Sequence, residues 1–129
     1  MYEFLLFVHV LSAFALGAMT VMYSSFALGG PAPRGAVLTA QVLDGIGGAG
    51  TIIFGVWLAL YIDGYEIWDG WIIAALVLWA AAAETGRRSH AALVAGGTAL
   101  PTAASIRWHW IRAALIVMLL ADMVWKPGA

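Results

Sequence analysis

The chain has 129 residues, of which 64% are hydrophobic and 10% charged, and its mean hydropathy is +0.93. So little polar surface cannot cover a water-soluble globule of this size, which points to a membrane protein without a sizeable extramembrane domain. A formal net charge of −1 argues against nucleic-acid binding, and the lack of cysteine excludes disulfides, thiolate-held zinc, iron–sulfur clusters and cysteine catalysis.

A membrane-crossing helix needs about 20 mainly apolar residues, and four such spans are expected here. The first covers residues 4–28. Tyr2 and Glu3 precede it, no basic segment leads into it, and its apolar run is longer than a signal-peptide core, so it reads as a retained helix. Gly29, Gly30, Pro31, Ala32 and Pro33 end it. The second span, 36–62, carries Asp44 together with Gly45, Gly47, Gly48 and Gly50, small residues that suit close helix packing in a bilayer. The connection that follows is acidic and aromatic, with Asp63-Gly64 and Asp69-Gly70 as turn formers and Trp68 and Trp71 as interfacial anchors.

The third span begins at Trp71 and is apolar to Ala83, reaching residue 88 when its flanks snorkel. Gly86-Arg87-Arg88 reads as its stop, and residues 89–102, broken by Gly96, Gly97 and Pro101, read as a loop with room for a short surface helix. The fourth span covers 106–125 and ends at Lys126-Pro127-Gly128. The expected fold is therefore all-α. It is a single transmembrane domain, 1–129, forming an up-down-up-down four-helix bundle with spans at 4–28, 36–62, 71–88 and 106–125.

Charge sets the expected orientation. Arg34, Arg87, Arg88, Arg107 and Arg112 lie in or beside the first and third connections, and only Lys126 lies elsewhere. The positive-inside rule then puts those connections in the cytoplasm, with both termini and the acidic connection outside.

Ionisable groups at bilayer depth are costly and normally face protein, so they are the best functional clues. On the first span His9, Ser12, Thr20, Tyr23 and Ser24 share one stripe; on the second, Gln41, Asp44, Gly47, Gly48, Thr51 and Gly55 lie within about 60° of Asp44. The two stripes are expected to meet. The fourth span carries Arg107, Trp108, His109, Trp110 and Arg112 at its inner end and Asp122 near its outer end. At about 1.5 Å of rise per residue, Asp44 and Arg112 sit at similar depths, roughly 12 and 9 Å in, which predicts a structural ion pair between them. His9 and His109 are separated by roughly 15 Å along the membrane normal, too far for one iron to be held by both.

Three segments carry a resemblance: Tyr2-Glu3-Phe4-Leu5-Leu6-Phe7-Val8-His9-Val10, Asp63-Gly64-Tyr65-Glu66-Ile67-Trp68-Asp69-Gly70-Trp71 and Val124-Trp125-Lys126-Pro127-Gly128-Ala129. Over nearly its whole length the chain resembles a family of small bacterial, actinobacterial-type four-helix membrane proteins. That family is distantly similar to copper-resistance D proteins and to HemJ-type protoporphyrinogen oxidases. Only the wider likeness implies chemistry. Through Phe7-Val8-His9-Val10 it puts His9 in the place of a haem-ligating histidine, and so implies haem b. The HemJ pattern also has a lysine within a span, whereas the single lysine here is Lys126. That departure argues against protoporphyrinogen oxidation and leaves haem binding open.

Two readings from different classes follow. In the first, His9 is the metal ligand of a b-type haem, Ser12 and its small neighbours make room for the porphyrin, the arginines serve the propionates, and His109 is a secondary ligand candidate; electron transfer or haem handling would be the task. In the second, the protein is a non-catalytic subunit whose glycine-rich second span associates with a membrane-protein partner or with another copy of the chain. Met19 and Met22 form a Met-x-x-Met pair that copper could use, but methionine on an apolar helix is ordinarily packing. Trp57 and Trp79 lie deep enough to line a cavity or to fill gaps between helices.

Overall fold

The computed structural model describes residues 1–95 and 102–127, with side chains described for 1–90 and 102–127. These residues form four helices and no strand: α1 (Tyr2–Ala27), α2 (Arg34–Tyr61), α3 (Gly70–Ala95) and α4 (Ala103–Trp125). Three of them, α1, α2 and α4, are long and apolar enough to cross a membrane.

The connection between α1 and α2 is built from the residues expected to break the chain. The amide of Leu28 still bonds back to Ser24, after which Gly29 turns at φ +88°, a backbone state that disfavours a side chain. Pro33 is extended and caps α2, so Arg34 and Gly35 belong to its first turn and the helix begins two residues before residue 36. Between α2 and α3, Gly64 turns at φ +105°, and the Asp69 carboxylate accepts the Glu66 amide at 3.1 Å.

The largest departure from expectation is in α3. Gly86-Arg87-Arg88 does not stop it; the helix continues to Ala95, about two turns beyond residue 88 and into the segment read as a loop. Glu84 explains why, because its carboxylate accepts hydrogen bonds from Arg87 and Arg88 one turn further on, each at 2.7 Å, which supports the helix they were expected to end. Residues 96–101, including Gly96, Gly97 and Pro101, lie outside the described residues. The start of α4 also precedes residue 106. Thr102 accepts the Ser105 amide at 3.1 Å while the Ser105 hydroxyl accepts the Thr102 amide at 2.9 Å, a reciprocal cap that starts the helix at Ala103.

The helices form two antiparallel pairs. Along α1 and α2, Gly47 lies on Leu16, Gly50 on Ser12 and Gly55 on His9; a Cβ on Gly47 would come within 2.8 Å of the Leu16 main-chain nitrogen. Along α3 and α4, Gly86 lies under Arg112, Arg88 covers the Trp108 ring at 5.0 Å and Lys126 covers the Trp71 ring at 5.3 Å. Contact between the two pairs is much sparser than within them. They meet through a small apolar core of Leu16, Met19, Ala82 and Ile116.

Many large apolar side chains face outwards, among them Phe7, Phe14, Val21, Ile46 and Val117, while Ser12, Thr51, Thr85, Ser105, His109 and Asp122 are buried alongside apolar residues. Such a surface is compatible with lipid, where apolar side chains can face outwards and polar ones need protein neighbours.

Candidate functional site

Two cavities lie where contact between the helix pairs is sparse, with Trp79 and Leu119 contributing to the walls of both. The first, about 580 Å³, lies towards the N-terminal half of α1 and the C-terminal half of α2. His9 is on its wall among mainly apolar neighbours such as Phe14, Ile52, Val56 and Leu76. The ring nitrogen His9 Nδ1 is buried and has no hydrogen-bond partner, and so is the hydroxyl of neighbouring Thr51, whose residue is only 1% exposed. Both atoms are sealed within the α1–α2 contact, and it is the remainder of the imidazole that faces the cavity. Gly55 makes room for the imidazole, since a Cβ there would lie 3.0 Å from His9 Cε1.

Tyr65, Trp71 and Lys126 close one end of this cavity. The Lys126 ammonium donates to the Tyr65 hydroxyl at 3.1 Å and sits over the Tyr65 ring at 4.9 Å, which holds a cation beside the His9 space. Ser12 is elsewhere. Its hydroxyl donates to the Val8 carbonyl at 2.8 Å and its side chain packs on Gly50, so it belongs to the α1–α2 seam and not to the cavity wall.

The second cavity, about 1060 Å³, lies towards the arginine-bearing end and is more polar, with Tyr23, Gln41, Asp44, His109 and Arg112 on its walls. Arg112 Nη2 donates to Asp44 Oδ1 across from α4 to α2. The guanidinium rests against α3 at Gly86, where an added Cβ would fall 2.7 Å from Cζ. His109 shares a hydrogen bond of 3.0 Å between Nε2 and the Ser24 hydroxyl and lies near the Tyr23 ring, at 6.3 Å between centroids. It is therefore a buried cavity residue, because the face of α4 that bears Ser105, His109, Ile116 and Leu119 turns inwards.

The structure thus brings Asp44 to Arg112 and separates His9 from His109. The Ser24 partner of His109 stands roughly 22 Å along α1 from His9, so each histidine serves its own cavity. Arg87 and Arg112 also line the second cavity, so the cation beside His9 is Lys126 and not an arginine. Met19 is packed in the apolar core at 1% exposure, while Trp57 lies on the outer surface stacked on Phe54. Among the described residues no three His, Cys, Asp or Glu side chains come together.

Trp79, expected to line a cavity or fill a gap, lines both cavities and donates Nε1 to the Gly48 carbonyl at 3.0 Å, while Asp122 is buried with Oδ2 unpartnered. Their partners and burial come from the packing and not from any spaced motif. No protein-family model, curated protein or solved structure matches this chain.

Proposed function

We propose that the protein is a four-span, up-down-up-down membrane bundle that binds b-type haem in the His9 cavity and serves electron transfer or haem handling. The observation that carries this reading is the His9 imidazole on the wall of a mainly apolar cavity of about 580 Å³. That volume falls within the range of about 300–1,000 Å³ usual for small-molecule and cofactor sites. The resemblance of the Phe7-Val8-His9-Val10 segment to a haem-ligating motif points the same way.

Bound haem would supply one-electron chemistry. The chain's own residues do the rest: His9 offers the ligand nitrogen, Phe14, Ile52, Val56 and Leu76 exclude water, and Lys126 offers a cation to the carboxylates of such a group. His109 is assigned no part in holding the same iron.

The visible spectrum of protein purified in detergent, with and without added hemin, tests the proposal. A Soret band is expected for the wild-type chain and its loss for His9→Ala, with Ser24→Ala retaining it. Folded wild-type protein that stays colourless with hemin would overturn the haem reading and favour a non-catalytic assembly subunit.

The orientation rests on charge. The arginine-bearing connections are assigned to the cytoplasm and both termini to the outside. Because the chain has no native cysteine, single cysteines can report this cleanly. A membrane-impermeant maleimide should label Asp63→Cys in intact cells and spare Pro31→Cys and His90→Cys until the cells are opened; the reverse pattern would invert the topology.

A further inference from the structure

The arginine-bearing end of the bundle carries positive charge that the chain does not balance. Arg34, Arg87, Arg88 and Arg107 are all exposed there, and no acidic residue occurs in the sequence between Glu84 and Asp122. Asp44 pairs with Arg112 deeper in the bundle, and Glu84 is shared between Arg87 and Arg88. Arg107 has no ion-pair partner among the described residues.

Two of these cations are gathered at one place. Arg88 from α3 and Arg107 from α4 hold their guanidinium carbons 5.0 and 6.0 Å from the centre of the Trp108 ring, so like charges from neighbouring helices share one indole. An anion between them relieves their repulsion, and a guanidinium fork matches the oxygens of a phosphate.

Depth and surface narrow the kind of anion. Arg88 stands about 18 residues from Gly70 at the start of α3, and Arg107 as many from Trp125 at the end of α4, which is about 27 Å at the helical rise. A hydrocarbon core is about 30 Å thick, so in a four-span bundle both arginines reach the level of the lipid phosphates. The surface that runs from them towards the bilayer centre is apolar: exposed Ile111 and Met118 lie within about 40° of Arg107 around α4, and exposed Val77 within about 20° of Arg88 around α3.

We propose that Arg88, Arg107 and Trp108 form a headgroup site for an anionic phospholipid. The phosphate lies between the two guanidinium groups beside the indole, and the acyl chains follow Ile111, Met118 and Val77. The inference rests on the four-span membrane reading and not on haem at His9.

The test is native mass spectrometry of the detergent-purified full chain, titrated with phosphatidylglycerol or with phosphatidylcholine of the same acyl chains. Phosphatidylglycerol is expected to bind about tenfold more tightly, with the preference lost in the double variant Arg88→Gln, Arg107→Gln and kept in Arg34→Gln. Glu84→Gln frees Arg88 from its carboxylate and should tighten phosphatidylglycerol binding, which keeps the proposal testable if the double variant does not fold; thermal transitions report folding. No preference in the wild-type chain, a wild-type preference in the folded double variant, or unchanged affinity in Glu84→Gln would overturn the proposal. Equal loss in Arg34→Gln would also overturn it by reducing the site to diffuse surface charge, and glycerol phosphate binding as tightly as the lipid would make it a site for a soluble anion. The measurement in detergent does not depend on which side the arginines face, so its failure is distinguishable from an inverted topology, and a chain that stays dissolved without detergent would instead sink the membrane reading itself.

Discussion

The indole of Trp79 on α3 donates its Nε1 hydrogen to the main-chain carbonyl of Gly48 on α2, 3.0 Å away, at the level where both cavities share a wall. A helix carbonyl keeps a second lone pair after its own ladder bond, and a glycine exposes it because no side chain shields the backbone. Together with Asp44–Arg112 and Ser24–His109, this bond joins two helix pairs whose apolar contact is sparse.

Trp79→Phe keeps most of the ring and removes the donor. Interhelical hydrogen bonds in membranes average about 0.6 kcal/mol and reach about 1.7, so a loss of about 1 kcal/mol is expected. Trp79→Ala should cost about 3–5 kcal/mol, because it also opens a void at the junction of the cavities. Thermal unfolding in detergent checks both values. Equal effects would show that the hydrogen bond adds nothing beyond volume.

The Asp44–Arg112 pair should behave as a unit. The Arg112 side chain is 13% exposed and that of Asp44 is 32% exposed, so removing either partner strands the other in a poorly solvated place. Asp44→Leu and Arg112→Leu are each expected to destabilise by about 3 kcal/mol, and the double substitution by much less than their sum. Additive losses in a double-mutant cycle would show that the contact carries no coupling energy.

Glycines of α2 should divide by what their missing side chains would meet. In Gly47→Ala the new methyl would lie 2.8 Å from main-chain nitrogen of α1, so the helices must part, at a cost of about 1–3 kcal/mol. Gly45→Ala meets open space and replaces a poor helix former with a good one, so it should be neutral or stabilising by up to about 1 kcal/mol. Melting temperatures that move the same way for both would contradict this packing.

The reciprocal cap at the start of α4 gives a local prediction. Thr102→Ala removes the acceptor for the Ser105 amide and should cost about 1 kcal/mol. Hydrogen exchange is expected to quicken at residues 103–106 and to stay unchanged near Asp122. Exchange that is equally slow in variant and wild type would mean that tertiary contacts, not the cap, hold this end.

Much of the helical layout was legible in the chain, because long apolar runs and Gly-Pro breaks act locally. Four helices, the turn at Gly29 to Pro33 and the end of α4 at Trp125 all follow from such signals. The end of α3 did not follow, since glycine and paired arginines look the same whether they stop a helix or flank a continuing one. What distinguishes the cases is Glu84 reaching Arg87 and Arg88, and Arg112 arriving from another helix over Gly86.

The candidate sites divide along the same line. Helical pitch alone places Asp44 and Arg112 at one depth and sets His9 far from His109, since rise per residue is a property of the backbone. Rotation of each helix about its axis is set by packing, and that turned His109 towards Ser24, sent Trp57 outwards, put Ser12 in the α1–α2 seam and gave the His9 cavity Lys126 in place of an arginine. The two cavities exist for a reason no single segment contains. Small residues draw α1 onto α2, Arg112 and Ser105 draw α4 onto α3, and the two pairs touch through only a small core, with Trp79 and Leu119 on the walls of both cavities.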